Sequence, residues 1–340
     1  MLSQYCRRST TANVGSFGQT TTLSGDAAGL LAAVRNPASE STTLGYDARG
    51  LLTRRTDALG REHSFAYDNL GRLTQDSDPA GGSKSLTRSG VGGGRAVSVT
   101  TAMGRSTTYA VQRPGAADVQ RSVTNSAGLM GTNGPGAAGQ TAMQLPDGRT
   151  VRWSLAPDPV FGMLAPYRKQ ESVTTPGGRT LTVTRSRSAT LSNPADPSSF
   201  VSLQDITNIN GKSFVDVYAR GTRTTTRTTP AGRSFVTTTD LQGRVEQVVV
   251  AGMHPVQLTY GLHGRLDAMT QGMRTISHAY GPHGFRVSTT DPLGQVEGFV
   301  VDPVGRVQEA QRPDGDVVLY EHDLVGNLVS VTPPGRPAHR

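Results

Sequence analysis

The chain has 340 residues, of which 41 are glycine and 20 proline, with 35% hydrophobic and only 5% aromatic residues. That composition excludes a helical bundle and a large apolar core, and favours many short strands joined by tight turns. The formal charge of +8 is almost entirely arginine, because Lys84, Lys169 and Lys212 are the only lysines.

Residues 1–40 carry a faint pattern in which Gly15, Gly18, Gly25 and Gly29 punctuate short runs of Thr, Ser and Leu. They read either as degenerate first repeats or as a poorly ordered leader. The first fifteen residues, MLSQYCRRSTTANVG, contain no apolar stretch of the secretory kind, and no run anywhere approaches a membrane span. Cys6 is the single cysteine, so an intrachain disulfide or a cysteine zinc site is not expected.

From residue 41 to 82 a repeat is explicit. Tyr46-Asp47-Ala48-Arg49-Gly50 returns as Tyr67-Asp68-Asn69-Leu70-Gly71, with a half-step at Asp57-Ala58-Leu59-Gly60 between them. An Asp-x-x-Gly recurs every ten or eleven residues, and every second copy is preceded by tyrosine. A fixed period of this kind signals a repeat architecture without domain boundaries.

From residue 83 to 229 the rhythm loosens. Turn signals persist at Gly93-Gly94, Gly104, Asp147-Gly148 and Gly177-Gly178, each near a β-prone run. Two stretches read as loop insertions: Gly128 to Gly139, rich in Gly and Ala, and Ser192 to Ser199, with two X-Pro steps. From residue 230 to 335 the period sharpens again, with Asp240 and Gly243, then Gly264, Gly284, Asp291 and Gly294, Asp302 and Gly305, Asp323 and Gly326. The tyrosine slot runs through Tyr260, Tyr280, Val301 and His322, and the aspartate slot behind it holds Gly261, Gly281, Asp302 and Asp323. Phase is kept where the residue changes.

The spacing has a physical reading. Aspartate at the first position of a turn accepts the N–H two residues on, and glycine at the fourth takes the positive φ of a type I turn followed by a G1 bulge. Each unit is then a turn plus a strand of about six residues, and two units make a hairpin. Residues 41–340 are thus expected to form one continuous antiparallel wall, all β. Alternation places Phe65 with Tyr67, and Ile276 with His278 and Tyr280, on shared faces.

These same residues carry a family resemblance. Tyr46-Asp47-x-x-Gly50, Tyr67-Asp68-x-x-Gly71-Arg72-Leu73 and Gly326-Asn327-Leu328 resemble the YD repeat of RHS (rearrangement hotspot) proteins, related to the shells of teneurins and of the cocoon-forming components of bacterial Tc toxins. The resemblance implies a spiralling shell of hairpins, about 21 residues each, of which this chain is an open section. It also implies the partners: the remainder of the shell and an enclosed C-terminal toxin polypeptide, in a secreted or cell-surface protein used in bacterial competition. The alternative is a surface module whose repeats bind glycans or a partner protein.

No enzymatic role, cofactor or metal is expected. Gly-x-Ser-x-Gly, Walker and His-Glu-x-x-His motifs are missing from the sequence. Asp291-Pro292-Leu293-Gly294 and Asp302-Pro303-Val304-Gly305 match the D-P-x-G signature linked to self-cleavage in RHS cores, but fall in phase with the turns and read as turns. His263 and His283 hold the same turn position and read as solvated residues rather than metal ligands, and Trp153 as packed rather than as a sugar platform. The arginines follow turn glycines all along the chain (Arg61, Arg72, Arg233, Arg244, Arg265, Arg306), which suits a solvated or cross-paired structural role. A nucleic-acid groove would gather them on one patch with aromatics between them.

Overall fold

The computed structural model describes residues 12–113, 115, 118–135 and 140–340. Within them lies one antiparallel sheet of 29 strands, left open, with no α-helix. Successive strands pair in hairpin order, as in Ser41–Tyr46 with Leu52–Thr56 and Glu62–Tyr67 with Leu73–Ser77. The interior is thin: Ala96, Val183 and Val318 are the buried hydrophobic residues among those described.

The chain divides into two units, one formed by residues 1–84 with 258–340 and the other by residues 85–257. In the first unit the described strands are short, five to seven residues in Leu31–Arg35, Ser41–Tyr46 or Arg274–Tyr280. Residues 12–40 contribute three of them, Ala12–Val14, Thr20–Gly25 and Leu31–Arg35. What was expected of residues 1–11 lies outside the described residues.

The repeat turns that begin with aspartate close in the same way. At Asp47 the N–H donates to the Leu51 carbonyl (2.9 Å) while the Gly50 N–H donates to the Asp47 carbonyl (2.9 Å). The Asp47 carboxylate accepts the N–H groups of Arg49 (2.9 Å) and Leu51 (3.0 Å) through one oxygen. Asp57, Asp68, Asp78, Asp291, Asp302 and Asp323 repeat this bonding at their own turns.

Alternate turns differ in one respect. Register slips by one residue at Gly45/Tyr46, Ala66/Tyr67, Ala279/Tyr280, Val300/Val301 and Glu321/His322, always on entering the tyrosine slot. The intervening turns close unbulged pairs, as in Arg54 opposite Ser64 through Thr56 opposite Glu62. A bulge increases local twist and re-aims the side chain beside it. One edge of the ribbon is therefore a row of bulged YD turns, and the other a row of plain turns.

The second unit departs from the six-residue strand. Thr150–Asp158, Gly162–Thr174, Thr180–Leu191 and Phe200–Ile209 run to 9, 13, 12 and 10 residues. The loop expected over 128–139 is corrected as well: Met130–Pro135 is a strand, paired on both sides with Gln120–Thr124 and Thr141–Gln144. Its glycines fit close neighbours rather than break the ladder, since a Cβ on Gly134 would lie 3.3 Å from the Gln120 Cα. Residues 136–139 lie outside the described residues. Ser192 to Ser199 is irregular, closing in a short 3-10 turn, Pro197–Ser199, capped by Asp196.

Candidate functional site: turn rows and the seam they form

The repeat residues form a periodic scaffold. Gly50, Gly60, Gly71, Gly243, Gly264, Gly284, Gly294, Gly305 and Gly326 have φ between 74° and 91°. At two of them a second reason for glycine is visible. A Cβ on Gly71 would lie 3.6 Å from Leu51, the residue after the preceding YD glycine, and one on Gly305 would overlap the ring of Phe285, which follows Gly284. The YD turns at Gly50, Gly71, Gly305 and Gly326 thus lie under the residue that leaves the turn before them, Leu30, Leu51, Phe285 and Arg306.

The tyrosine of the slot has a matching role. Tyr46 Oη donates to the Leu31 carbonyl (2.8 Å) and Tyr280 Oη to the Leu266 carbonyl (2.7 Å), in each case two residues after the preceding YD-row glycine, Gly29 or Gly264. Burial raises the Tyr46 phenol pKa, and the charge of Asp26 adds to it. Tyr67 and Tyr260 hold the same slot on half-buried strand ends, and Asp240 closes its turn through the Gln242 and Arg244 N–H groups (both 2.9 Å).

The arginine after the glycine pairs with its own turn. Arg61, Arg72, Arg244 and Arg306 place Nε 2.6 to 2.8 Å from the second carboxylate oxygen of Asp57, Asp68, Asp240 and Asp302. The Asp68 carboxyl is held below the ordinary range by the Arg72 backbone N–H first, with the Arg72 guanidinium opposing desolvation. Arg265 has no aspartate, because Gly261 occupies the slot; its guanidinium lies 4.4 Å from the ring centres of both Phe17 and Tyr280. Its Nε and Nη1 are buried without a hydrogen-bond partner among the described residues.

Within the first unit the plain-turn row of residues 12–84 meets the YD row of residues 258–340. Phe17 packs edge-on against His263, with ring centres 4.7 Å apart, and fills the space over Gly284. Gln19 Nε2 donates to the His283 carbonyl, and Glu40 Oε1 accepts Arg306 Nη2 at 2.7 Å. The Asp323 carboxyl is held below its usual range by the Asn327 amide first, with the charge of Arg61 also contributing from across the seam. Separations of 264 and 266 residues show the two rows meshing in constant register.

The centre of the seam is a clamp of Glu40, Arg306 and Asp302. Asp302 is only 7% exposed. Burial raises its pKa, but the Arg306 backbone and side-chain bonds and the Val304 N–H outweigh this and hold it below the ordinary value. Arg306 also donates to the Asp323 carbonyl (3.2 Å). Beside the clamp is a cavity of about 470 Å³, with Arg55 and His63 opposite each other on paired strands at its wall.

The second unit carries a different charged arrangement. Asp158, 7% exposed, accepts Arg187 Nη1 (3.0 Å), while Arg187 grips Asp205 through Nε (2.7 Å) and Nη2 (2.9 Å). Asp205 stands opposite Asp216, which Arg227 grips at 2.5 and 2.8 Å. Two facing carboxylates suggest hydrolytic chemistry only when one is free to carry a proton. Here both are bidentate partners of arginine, a structural use.

Several of these residues had no sequence signal. Phe17, Glu40 and the Asp158–Arg187–Asp205 set are joined by folding, not by spacing. His263 and His283 sit exposed in their turns, and no group of three His, Cys, Asp or Glu residues suited to a metal occurs among the described residues. Asp291 and Asp302 both stand at the start of turns. Trp153 is half-buried, with the Arg168 guanidinium 4.9 Å from its ring centre.

A wall of bulged YD turns of this regularity defines a YD-repeat shell. The chain belongs to the Teneurin YD-shell family, whose model matches residues 7–340. Among solved structures it is similar to the Photorhabdus luminescens Tc holotoxin pore carrying a TccC3 mutation, at 14% identity over 93% of this chain and 18% of that one, with a TM-score of 0.48. It is also similar to TcdB2-TccC3 without its hypervariable C-terminal region, at 11% identity over 93% of this chain and 22% of that one, TM-score 0.37. The chain therefore spans less than a quarter of either solved chain. No curated protein matches it. Among the described residues no helix is long and apolar enough to cross a membrane.

Proposed function

We infer that this chain is a non-enzymatic section of wall in a YD-repeat shell whose role is to enclose or display another polypeptide, a toxin or effector delivered outside the producing bacterium. The observation that carries the reading is the seam: two arms of the sheet more than 200 residues apart mesh turn by turn in constant register. A device of that kind makes a wall continuous; a catalytic pocket needs no such periodicity. The strongly ordered carboxylates support it, because those of the turns and of the second unit are committed to backbone N–H groups or arginine.

The test is made on the full-length gene product. Further YD repeats and a C-terminal effector encoded downstream, with that polypeptide resisting protease until the shell is opened, are the expected result. A gene ending in unrelated sequence, or an effector digested at the rate of the free polypeptide, overturns the reading.

A further inference from the structure

The seam has a direction. Plain turns enter, and YD turns receive them. Phe17, third in the turn Gly15–Gly18, enters over Gly284 beside Arg265, the residue that leaves the preceding YD turn. One repeat later Glu40, the residue leaving the turn Asn36–Ser39, pairs with Arg306, the residue leaving the YD turn Asp302–Gly305. The inserted residues are thus 23 apart in sequence, and the two contacts together define a register.

The first unit carries each kind of row once more, on edges that do not take part in this seam. The leading arm has a second YD row at Asp26–Gly29, Asp47–Gly50 and Asp68–Gly71; the closing arm has a second plain row at Asp291–Gly294 and Arg312–Gly315. Laid on the pattern of the seam, the plain row supplies both inserting groups at the same spacing. Leu293 is third in its turn, as Phe17 is, and Asp316 leaves the next turn, as Glu40 does; they too are 23 apart. The YD row supplies the receptors. Arg72 leaves the turn at Asp68 as Arg306 leaves the turn at Asp302, and Gly50 with Leu30 stands where Gly284 stands with Arg265.

Both edges are open. Leu293 is 82% exposed and the Arg72 side chain 50%. Asp316 is exposed, and its carboxylate has no ion pair among the described residues. An apolar turn tip exposed to this degree beside an unpaired carboxylate, with a complementary glycine and arginine on the same unit, forms two halves of one interface.

We propose that a second copy of this chain docks its plain row, through Leu293 and Asp316, on the free YD row of the first, with Leu293 over Gly50 against Leu30 and Asp316 paired with Arg72. The contact is head-to-tail, so it continues from copy to copy instead of closing on a two-fold axis. The leucine meets a leucine where Phe17 meets an arginine, so the apolar contribution replaces the cation–π contact of the seam.

Sedimentation velocity over a range of concentrations tests this with the intact chain and with Arg72→Glu, Asp316→Arg and Leu293→Asp, all at exposed positions and each checked for an unchanged melting temperature. Concentration-dependent association of the unaltered chain is expected, weakened at least about tenfold by each substitution, as loss of a complementary contact does. Mixing the Arg72→Glu and Asp316→Arg chains restores it, because each supplies the partner the other lacks. A chain that stays monomeric, association unchanged by the substitutions, or a mixture no better than its components overturns the proposal.

Discussion

The two units hold their strands with the same chemistry at different ranges. In the first, Asp57, Asp68 and Asp302 are satisfied within their own turns, by N–H groups two and four residues on and by an arginine four residues on. In the second, Arg187 reaches Asp205 and Asp158, 18 and 29 residues away, and Arg227 reaches Asp216 across a strand pair. Local locks make a repeat that can be copied without reference to its neighbours. Cross-strand locks fix one register in one place, which suits long strands with no frequent turns to set the pairing. The plain-row seam adds a third range, built by the first unit alone.

The largest effect should fall on the cross-strand set. Arg187→Met leaves two carboxylates uncompensated, one of them buried, and should destabilise the protein by about 3 kcal/mol in denaturant unfolding; a loss under about 1 kcal/mol would mean that these long strands are not held by their ion pairs.

Next comes the turn itself. Gly71→Val forces a β-branched residue to φ of 74° against Leu51 and should cost about 2 kcal/mol. Gly60→Ala, at a similar φ with open space around it, should cost about 1 kcal/mol. Equal losses in Gly71→Ala and Gly60→Ala would show that packing between successive turns adds nothing.

Acid should weaken the seam. Because the folded Asp302 pKa is lowered, its contribution is full above the unfolded value of 3.8 and is lost as pH falls through the folded value. Asp302→Asn should lower stability at neutral pH by about 1.5 kcal/mol and flatten the acid limb of the stability curve below the ordinary aspartate range. An acid limb identical to that of the unaltered chain rules out this carboxylate as its source.

Smaller effects distinguish the two rows. Tyr46→Phe removes the bond to the Leu31 carbonyl and should cost about 1 kcal/mol by thermal unfolding, an effect with no counterpart in the plain row. Arg61→Gln breaks an exposed pair and should change stability by less than about 0.5 kcal/mol, the difference shrinking further in high salt. A larger, salt-independent loss would show that Arg61 acts mainly through its charge across the seam on Asp323 rather than through its own turn.

Some of this was written plainly in the chain. Asp-x-x-Gly at ten- and eleven-residue spacing specifies a turn through contacts no more than four residues apart, so Asp47 with Gly50 and Asp68 with Gly71 declare the strands, the hairpins and the wall. The arginine after the glycine was visible as a pattern, but its partner was not, because an arginine side chain can reach several acceptors and only the folded turn places Asp68 2.8 Å from Arg72. The strand at Met130–Pro135 was hidden by glycines whose use is close approach to neighbouring strands.

By itself, then, the sequence determined what is local: the turn, its glycine, the alternation of rows and the all-β wall they produce. Tertiary structure alone decided which row meets which. Phe17 over Gly284, Glu40 on Arg306 and Asp158 on Arg187 join residues whose spacing carries no period, and they meet only because the bulges curve the ribbon and the strands fix the register. Contacts between distant segments depend on summed geometry along the chain, which no short motif records.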